Sequence, residues 1–190
     1  MSWIDGVPAT LLYAGPPSNY SAAAAALATA QSLVTPVSGN YTQPSVPYGF
    51  WQIGKSGQLL KGRVAGIVTG QAAATTMIIT VGLNGAPNTV SSTAILATPA
   101  LTVTGFAAAG WSLDFETLCR GTGYGTASVS TSLLSEGNFQ AAGVMTQTPP
   151  ASVTTIDASV NQWMWATVTF STASATNSCT LEKFTLFGMS

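Results

Sequence analysis

Four groups of residues have types and spacing that could support chemistry. Residues 49–56 read Gly-Phe-Trp-Gln-Ile-Gly-Lys-Ser, the formal pattern of a phosphate-binding loop. Such a loop works by leaving a buried strand, wrapping phosphates with backbone N–H groups and entering a helix whose N-terminus faces the anion. Here Pro44 and Pro47 precede it, Phe50 and Trp51 fill it, and Gly57 and a strand-like run follow it. The expected structure is therefore a strand through Phe50 and Ile53, a turn over 54–57 and a second strand from near Leu59. Residues 153–157, rich in threonine, offer no apolar strand ending in a magnesium-binding Asp, so nucleotide binding is not expected.

Asp114 and Glu116 stand two apart on one strand-like run, at the ~7 Å separation of same-face neighbours. A paired-carboxylate hydrolase is thus formally possible, but Arg120 on the same face favours a solvated charge cluster. Serine and cysteine nucleophiles usually need a histidine base, and the chain has no histidine. The expectation is that it is not an enzyme and carries no cofactor or metal.

Trp163 and Trp165 share a strand face behind Asn161 and could stack a sugar. Met164, Ala166, Val168 and Phe170 make the opposite face apolar too, which favours a strand buried on both sides, in a core and at a subunit interface. Cys119 and Cys179 are too few for a disulfide framework or, without histidine, a zinc site. Cys119 shares parity with Trp111, Leu113 and Phe115 and reads as a small buried hydrophobe; a Cys119–Cys179 disulfide is the alternative. Asn19-Tyr20-Ser21 and Asn40-Tyr41-Thr42 match glycosylation acceptors and are read as accidental.

The chain that must position these groups has 190 residues, of which 5 are Lys or Arg and 6 are Asp or Glu. Ala, Thr, Ser and Gly make up about half of it. With 46% hydrophobic residues and a net charge of −1 it should fold. Its five basic residues form no tract that could neutralise phosphates, so nucleic acid is not an expected partner. A weakly charged surface favours association. The apolar run over 22–34 is shorter than the ~20 residues of a membrane span. Residues 1–21 show no basic stretch of an export signal, so the expectation is synthesis in a cytoplasm and no membrane.

Residues 1–48 contain Pro8, Pro16, Pro17, Pro36, Pro44 and Pro47, one charge and an alanine run. They read as an extended N-terminal arm, with one short helix possible around 21–31, that needs another surface to hold it. Leu11, Leu12, Tyr13, Tyr20, Leu27, Leu33 and Tyr41 of the arm, with Trp163 and Trp165 of the body, are the candidate interface residues. An ordered arm of ~20 residues would bury on the order of 1,000 Å².

From residue 49 to 190 the period is two, in runs of Val, Ile, Thr and aromatics separated by Gly, Asn, Ser and Pro. Met77, Ile79, Val81 and Leu83 alternate with mostly polar positions before the turn signal Asn84-Gly85. Trp111, Leu113, Phe115 and Cys119 alternate with Ser112, Asp114, Glu116 and Arg120. Further strands are expected over 49–53, 58–69, 91–97, 101–106, 126–134, 139–147, 162–171 and 179–187. With no helical period in this region, the fold class is all-β, and a jelly-roll β-sandwich of about 8–10 strands fits best.

Several stretches carry a family resemblance: an Ala/Thr-rich lead-in, Tyr41-Thr42-Gln43-Pro44, and Gln58-Leu59-Leu60-Lys61-Gly62-Arg63-Val64-Ala65-Gly66-Ile67. They continue with Gly110-Trp111-Ser112-Leu113-Asp114-Phe115-Glu116 and Ser174-Ala175-Thr176-Asn177-Ser178-Cys179-Thr180-Leu181-Glu182-Lys183-Phe184. Over about residues 28–188 the chain resembles virion structural proteins of tailed bacteriophages, especially those infecting actinobacteria. That resemblance implies a jelly-roll domain on capsid or tail, self-association often as a homotrimer, and no catalysis. The expected role is a capsid decoration (cement) protein on the virion exterior, assembled in the bacterial host cytoplasm and bound to the major capsid protein. The alternative is a tail or head-fibre protein binding host-surface glycan through Trp163, Trp165 and the loop around Tyr124.

Overall fold

The computed structural model describes residues 9–15, 31–33, 44–48, 50–51, 58–87, 93–122, 130–149 and 154–189. Among them every regular element is a strand. The strands are β1 (Ala9–Gly15), β2 (Gln31–Ser32), β3 (Ser45–Val46), β4 (Leu59–Thr69), β5 (Thr76–Asn84), β6 (Ala94–Ala97) and β7 (Leu101–Thr102). They continue with β8 (Ala109–Thr122), β9 (Ser130–Ala141), β10 (Val144–Thr148), β11 (Thr154–Asp157), β12 (Gln162–Phe170) and β13 (Ser178–Met189). A seven-stranded antiparallel sheet has the order β1-β13-β4-β8-β9-β10, with β11 also on β9. A six-stranded antiparallel sheet has the order β2-β12-β5-β6, with β3 on β12 and β7 on β5.

Alternation decides which side chains go inside. In β4 the even positions Leu60, Gly62, Val64, Gly66 and Val68 are buried, and the odd positions Lys61, Arg63, Ala65 and Ile67 are not. Buried side chains of β4, β8, β9 and β13 join Met77, Ile79, Val81 and Leu83 of β5 and Met164, Val168 and Phe170 of β12 in one core. Within it, large rings sit beside glycines on neighbouring strands. Phe115 lies opposite Gly62 on one side and Gly137 on the other, and a Cβ added to Gly62 would fall on the Phe115 ring. Gly66 faces Trp111 two aligned pairs further along the same face.

The first 48 residues differ from the arm expected of them. β1 pairs along β13, while β2 and β3 pair with β12, so their described parts belong to the same two sheets as the body. The prolines punctuate these strands and do not prevent them: β1 lies between Pro8 and Pro16, and β3 between Pro44 and Pro47. Proline excludes itself from a ladder's interior, but a short strand can run between two of them. The boundary expected between 48 and 49 therefore does not separate arm from body among the described residues. The helix considered around 21–31 falls almost wholly outside them.

Other strands shift for local reasons. Phe50 and Trp51 form a bend and not a strand, and of the strand expected over 101–106 only Leu101–Thr102 is paired, before a turn through Gly105. β9 runs on through Phe139 and turns at Ala142-Gly143, where φ is 46° and 84°. These two positive φ values are those of the two-residue hairpin turn that matches strand twist. β11 was not expected, because its Thr-Thr-Ile-Asp run has only one strongly apolar residue.

Alanine in the left-handed region costs about 1–2 kcal/mol, and asparagine tolerates that region better. Ala142→Asn should therefore stabilise the fold by about 0.5–1 kcal/mol, whereas Gly62→Ala should destabilise it by about 1–3 kcal/mol through overpacking against Phe115. Chemical denaturation of both variants checks the two signs.

Candidate functional site

The outward positions of the seven-stranded sheet form aligned rows. One row runs Thr185, Arg63, Asp114 and Asn138, and the next runs Phe187, Lys61, Glu116 and Glu136, across β13, β4, β8 and β9. Cross-strand ion pairs tie them: Lys61 Nζ donates to Glu116 Oε1 at 2.6 Å, and Arg63 Nε lies 3.6 Å from Asp114 Oδ1. All four side chains are between 43% and 52% exposed. A shallow depression of about 290 Å³ lies over these rows, lined by Lys61, Asp114, Glu116, Glu136, Asn138 and Gln147.

The Asp114/Glu116 pair thus sits on an open sheet face, each carboxylate beside its own cation. A carboxylate pair that cleaves a glycosidic bond must flank that bond from both sides. Here neither carboxylate lies in a cleft that could hold a substrate between them, and each is half-exposed in an ion pair, so this geometry gives no support to a hydrolase. A third row, Met189, Leu59, Leu118 and Leu134, borders the ionic rows on the same face. With Glu116 and Glu136, its leucines line a second depression of about 380 Å³.

Among the candidate interface residues, the described ones are Leu33, Trp163 and Trp165, with the backbone of Leu11, Leu12 and Tyr13. Leu33 is fully buried, its N–H donating to the Ala166 carbonyl at 2.8 Å. Trp163 is half-buried at the Ser45 and Asn84 register positions. Trp165 is 3% exposed, on the face that includes Gly82, where an added Cβ would fall on its ring. A flat sugar platform needs both rings accessible, and only Trp163 is. Leu11, Leu12 and Tyr13 lie in β1, on the seven-stranded sheet, with their side chains outside the described residues. Tyr20, Leu27, Tyr41 and Tyr124 lie outside them altogether, as does most of the 49–56 loop. Of that loop, Trp51 is buried in the core and packs edge-on against Phe50, with ring centroids 4.7 Å apart.

Cys119 and Cys179 are buried, and neither is in a disulfide. Cys119 is at the Gln58 end of β4 and Cys179 pairs with Val68 at its far end, roughly 30 Å away along the strand. A disulfide between them is excluded by this placement, and Cys119 is buried in the core as expected. Burial pushes the Cys179 thiol well above its ordinary range, partly offset by the Trp111 indole. Among the described residues no group of three or more His, Cys, Asp or Glu side chains could hold a metal. No helix among them is long and apolar enough to cross a membrane.

What sequence reasoning missed is the segregation of charge. The nine charged residues described are Lys61, Arg63, Asp114, Glu116, Arg120, Glu136, Asp157, Glu182 and Lys183, and all lie on strands of the seven-stranded sheet. The six-stranded sheet and the described connections carry none. Single-strand alternation could not reveal this, because it depends on which strands share a sheet. Comparison with family models, curated proteins and solved structures finds no match to the chain.

Two outcomes follow. Trp165→Ala should cost about 3–5 kcal/mol of stability as a buried ring is lost, and half-buried Trp163 distinctly less, by denaturant titration. The second concerns pH. The Cys179 thiol stays protonated in the folded chain above the 9.0 at which a free thiol ionises. Its contribution is complete below pH 9 and declines above it, by about 1.4 kcal/mol per pH unit. Cys179→Val should remove that part of the alkaline loss.

Proposed function

We propose that this chain is a structural virion protein of a tailed bacteriophage, a capsid decoration protein with no catalytic role. It binds the major capsid protein from outside and self-associates, as a trimer in the proteins it resembles. The observation that carries the reading is the charge-free six-stranded sheet. A folded domain normally carries charge on about a quarter of its residues, spread over its surface. One that confines charge to a single sheet leaves the rest suited to contact with another protein.

The proposed fold is a jelly roll, and strand order supports it. Omitting the additions β9–β11 and counting β2/β3 and β6/β7 as one strand each leaves eight strands. They alternate between sheets as 1-8-3-6 and 2-7-4-5, the double Greek key arrangement shared by viral capsid and lectin domains. A fold does not settle function. Between these two uses, the charge-free sheet favours assembly, and Trp165, already buried within the chain, offers no stacking face to a sugar.

Docking through an uncharged sheet is driven by area burial, and several copies in one oligomer multiply the grip. Incubated with decoration-free capsids and sedimented, the full chain should bind saturably at a fixed copy number. Its affinity should change less than about threefold between 0.05 and 0.5 M salt, because few screened charges take part. Absence of saturable binding overturns the role, and binding that collapses with salt overturns the charge-free docking surface.

A further inference from the structure

At one end of the seven-stranded sheet the outward face turns apolar. The inward positions there mix Leu60, Cys119 and Leu133 of the core with buried Gln58, Thr117 and Ser135. Thr117 and Ser135 hydroxyls satisfy each other at 2.9 Å, while the Gln58 amide finds no partner among the described residues. The outward positions are Leu59, Leu118, Leu134 and Met189, in register across four strands. Phe187, 39% exposed, lies one row further on, and Leu118 is 38% exposed. Everywhere else on this sheet the outward rows are mainly polar or ionic. An apolar row in register on an outward face has the composition of a surface built to be covered.

Charge says what covers it. On one side of the row, two residues or about 7 Å away, stand Glu116 and Glu136; the Glu116 charge is answered by Lys61, and no ion pair to Glu136 is formed among the described residues. On the other side, two residues beyond Leu118, Arg120 is exposed at the bulge between β8 and β9, also without an ion pair there. The patch therefore runs from negative through apolar to positive, with the apolar row midway. A two-fold axis through such a patch sets leucine row on leucine row and places Glu136 of each copy over Arg120 of the other. This is the self-complementarity that a two-fold contact requires, residue i meeting j while j meets i.

We infer that this end of the sheet is a two-fold contact between copies of the chain. It rests on the assembly reading for self-association and adds its geometry: the outward faces of two seven-stranded sheets meet at the leucine row. Four strands by three rows make a footprint of roughly 300–400 Å², about half the ~800 Å² per partner of a stable complex. The contact is therefore weak and forms between free copies at high protein concentration. A two-fold contact joins trimers to one another and does not build one.

Sedimentation velocity of the purified full chain, with no capsid present, tests it. The weight-average mass should rise with concentration, above any oligomer that persists on dilution. Leu118→Asp should weaken that association at least about tenfold with the circular dichroism spectrum unchanged. Arg120→Glu and Glu136→Arg should each weaken it, and the double charge swap should recover it to within about threefold of the parent. A mass independent of concentration overturns the inference, as does a Leu118→Asp variant that associates normally. Normal association of the swapped singles overturns the two-fold pairing. If the chain's own residues 1–8 cover the row, Leu118→Asp will lower thermal stability with no change in mass, which also overturns it. Capsid sedimentation reads the other sheet, so the two proposals fail independently: loss of self-association with capsid binding intact sinks this contact alone.

Discussion

The scarcity of charge constrains everything else in this molecule. Eleven ionic residues in 190 cannot cover a two-sheet domain, and the described ones are gathered on one sheet, where registered strands let Lys61 answer Glu116 and Arg63 answer Asp114. Exposed pairs of this kind contribute little to stability, about 0–1 kcal/mol each. Their effect is to keep one face wetted, while threonine, serine and alanine supply the rest of the surface. The core, by contrast, is ordinary: alternating apolar positions from both sheets close on one another, and glycines opposite Phe115 and Trp111 make room for rings that the pleat would otherwise crowd.

Much of this was legible in the sequence because strand alternation is a local property. Met77 to Leu83 and Trp111 to Phe115 revealed their buried faces directly, and the turn at Asn84-Gly85 closed the first of these strands where expected. The first 48 residues misled because six prolines argue against a long ladder but say nothing about short strands between them. Ala9–Gly15, an apolar run bounded by Pro8 and Pro16, was the signal that could have identified β1. The phosphate-loop pattern at 49–56 is set aside on its flanks, and buried Trp51 supplies a packing reason for its aromatic content.

What stayed illegible was whatever depends on pairing between distant strands. Leu59, Leu118, Leu134 and Met189 are unremarkable one at a time, because each is a single apolar residue on a largely polar strand face. Only the register across β13, β4, β8 and β9 turns them into a row, and only the same register sets Glu136 and Arg120 on either side of it. Likewise, Trp163 and Trp165 share parity, yet only the packing of Trp165 beside Gly82 removes one of them from any sugar platform. Surfaces made by several strands are tertiary objects, and one-dimensional periodicity does not contain them.

The central claim is that the charge-free sheet lies against another protein in a virion. The most direct measurement is a cryo-electron microscopy reconstruction of the intact particle in which this chain is located. The account predicts density for the two-sheet domain on the capsid exterior, at fixed positions, with the six-stranded sheet facing the major capsid protein and the ionic rows toward solvent. Density confined to the tail, or a capsid-bound domain whose ionic rows face the shell while the six-stranded sheet faces water, would contradict it.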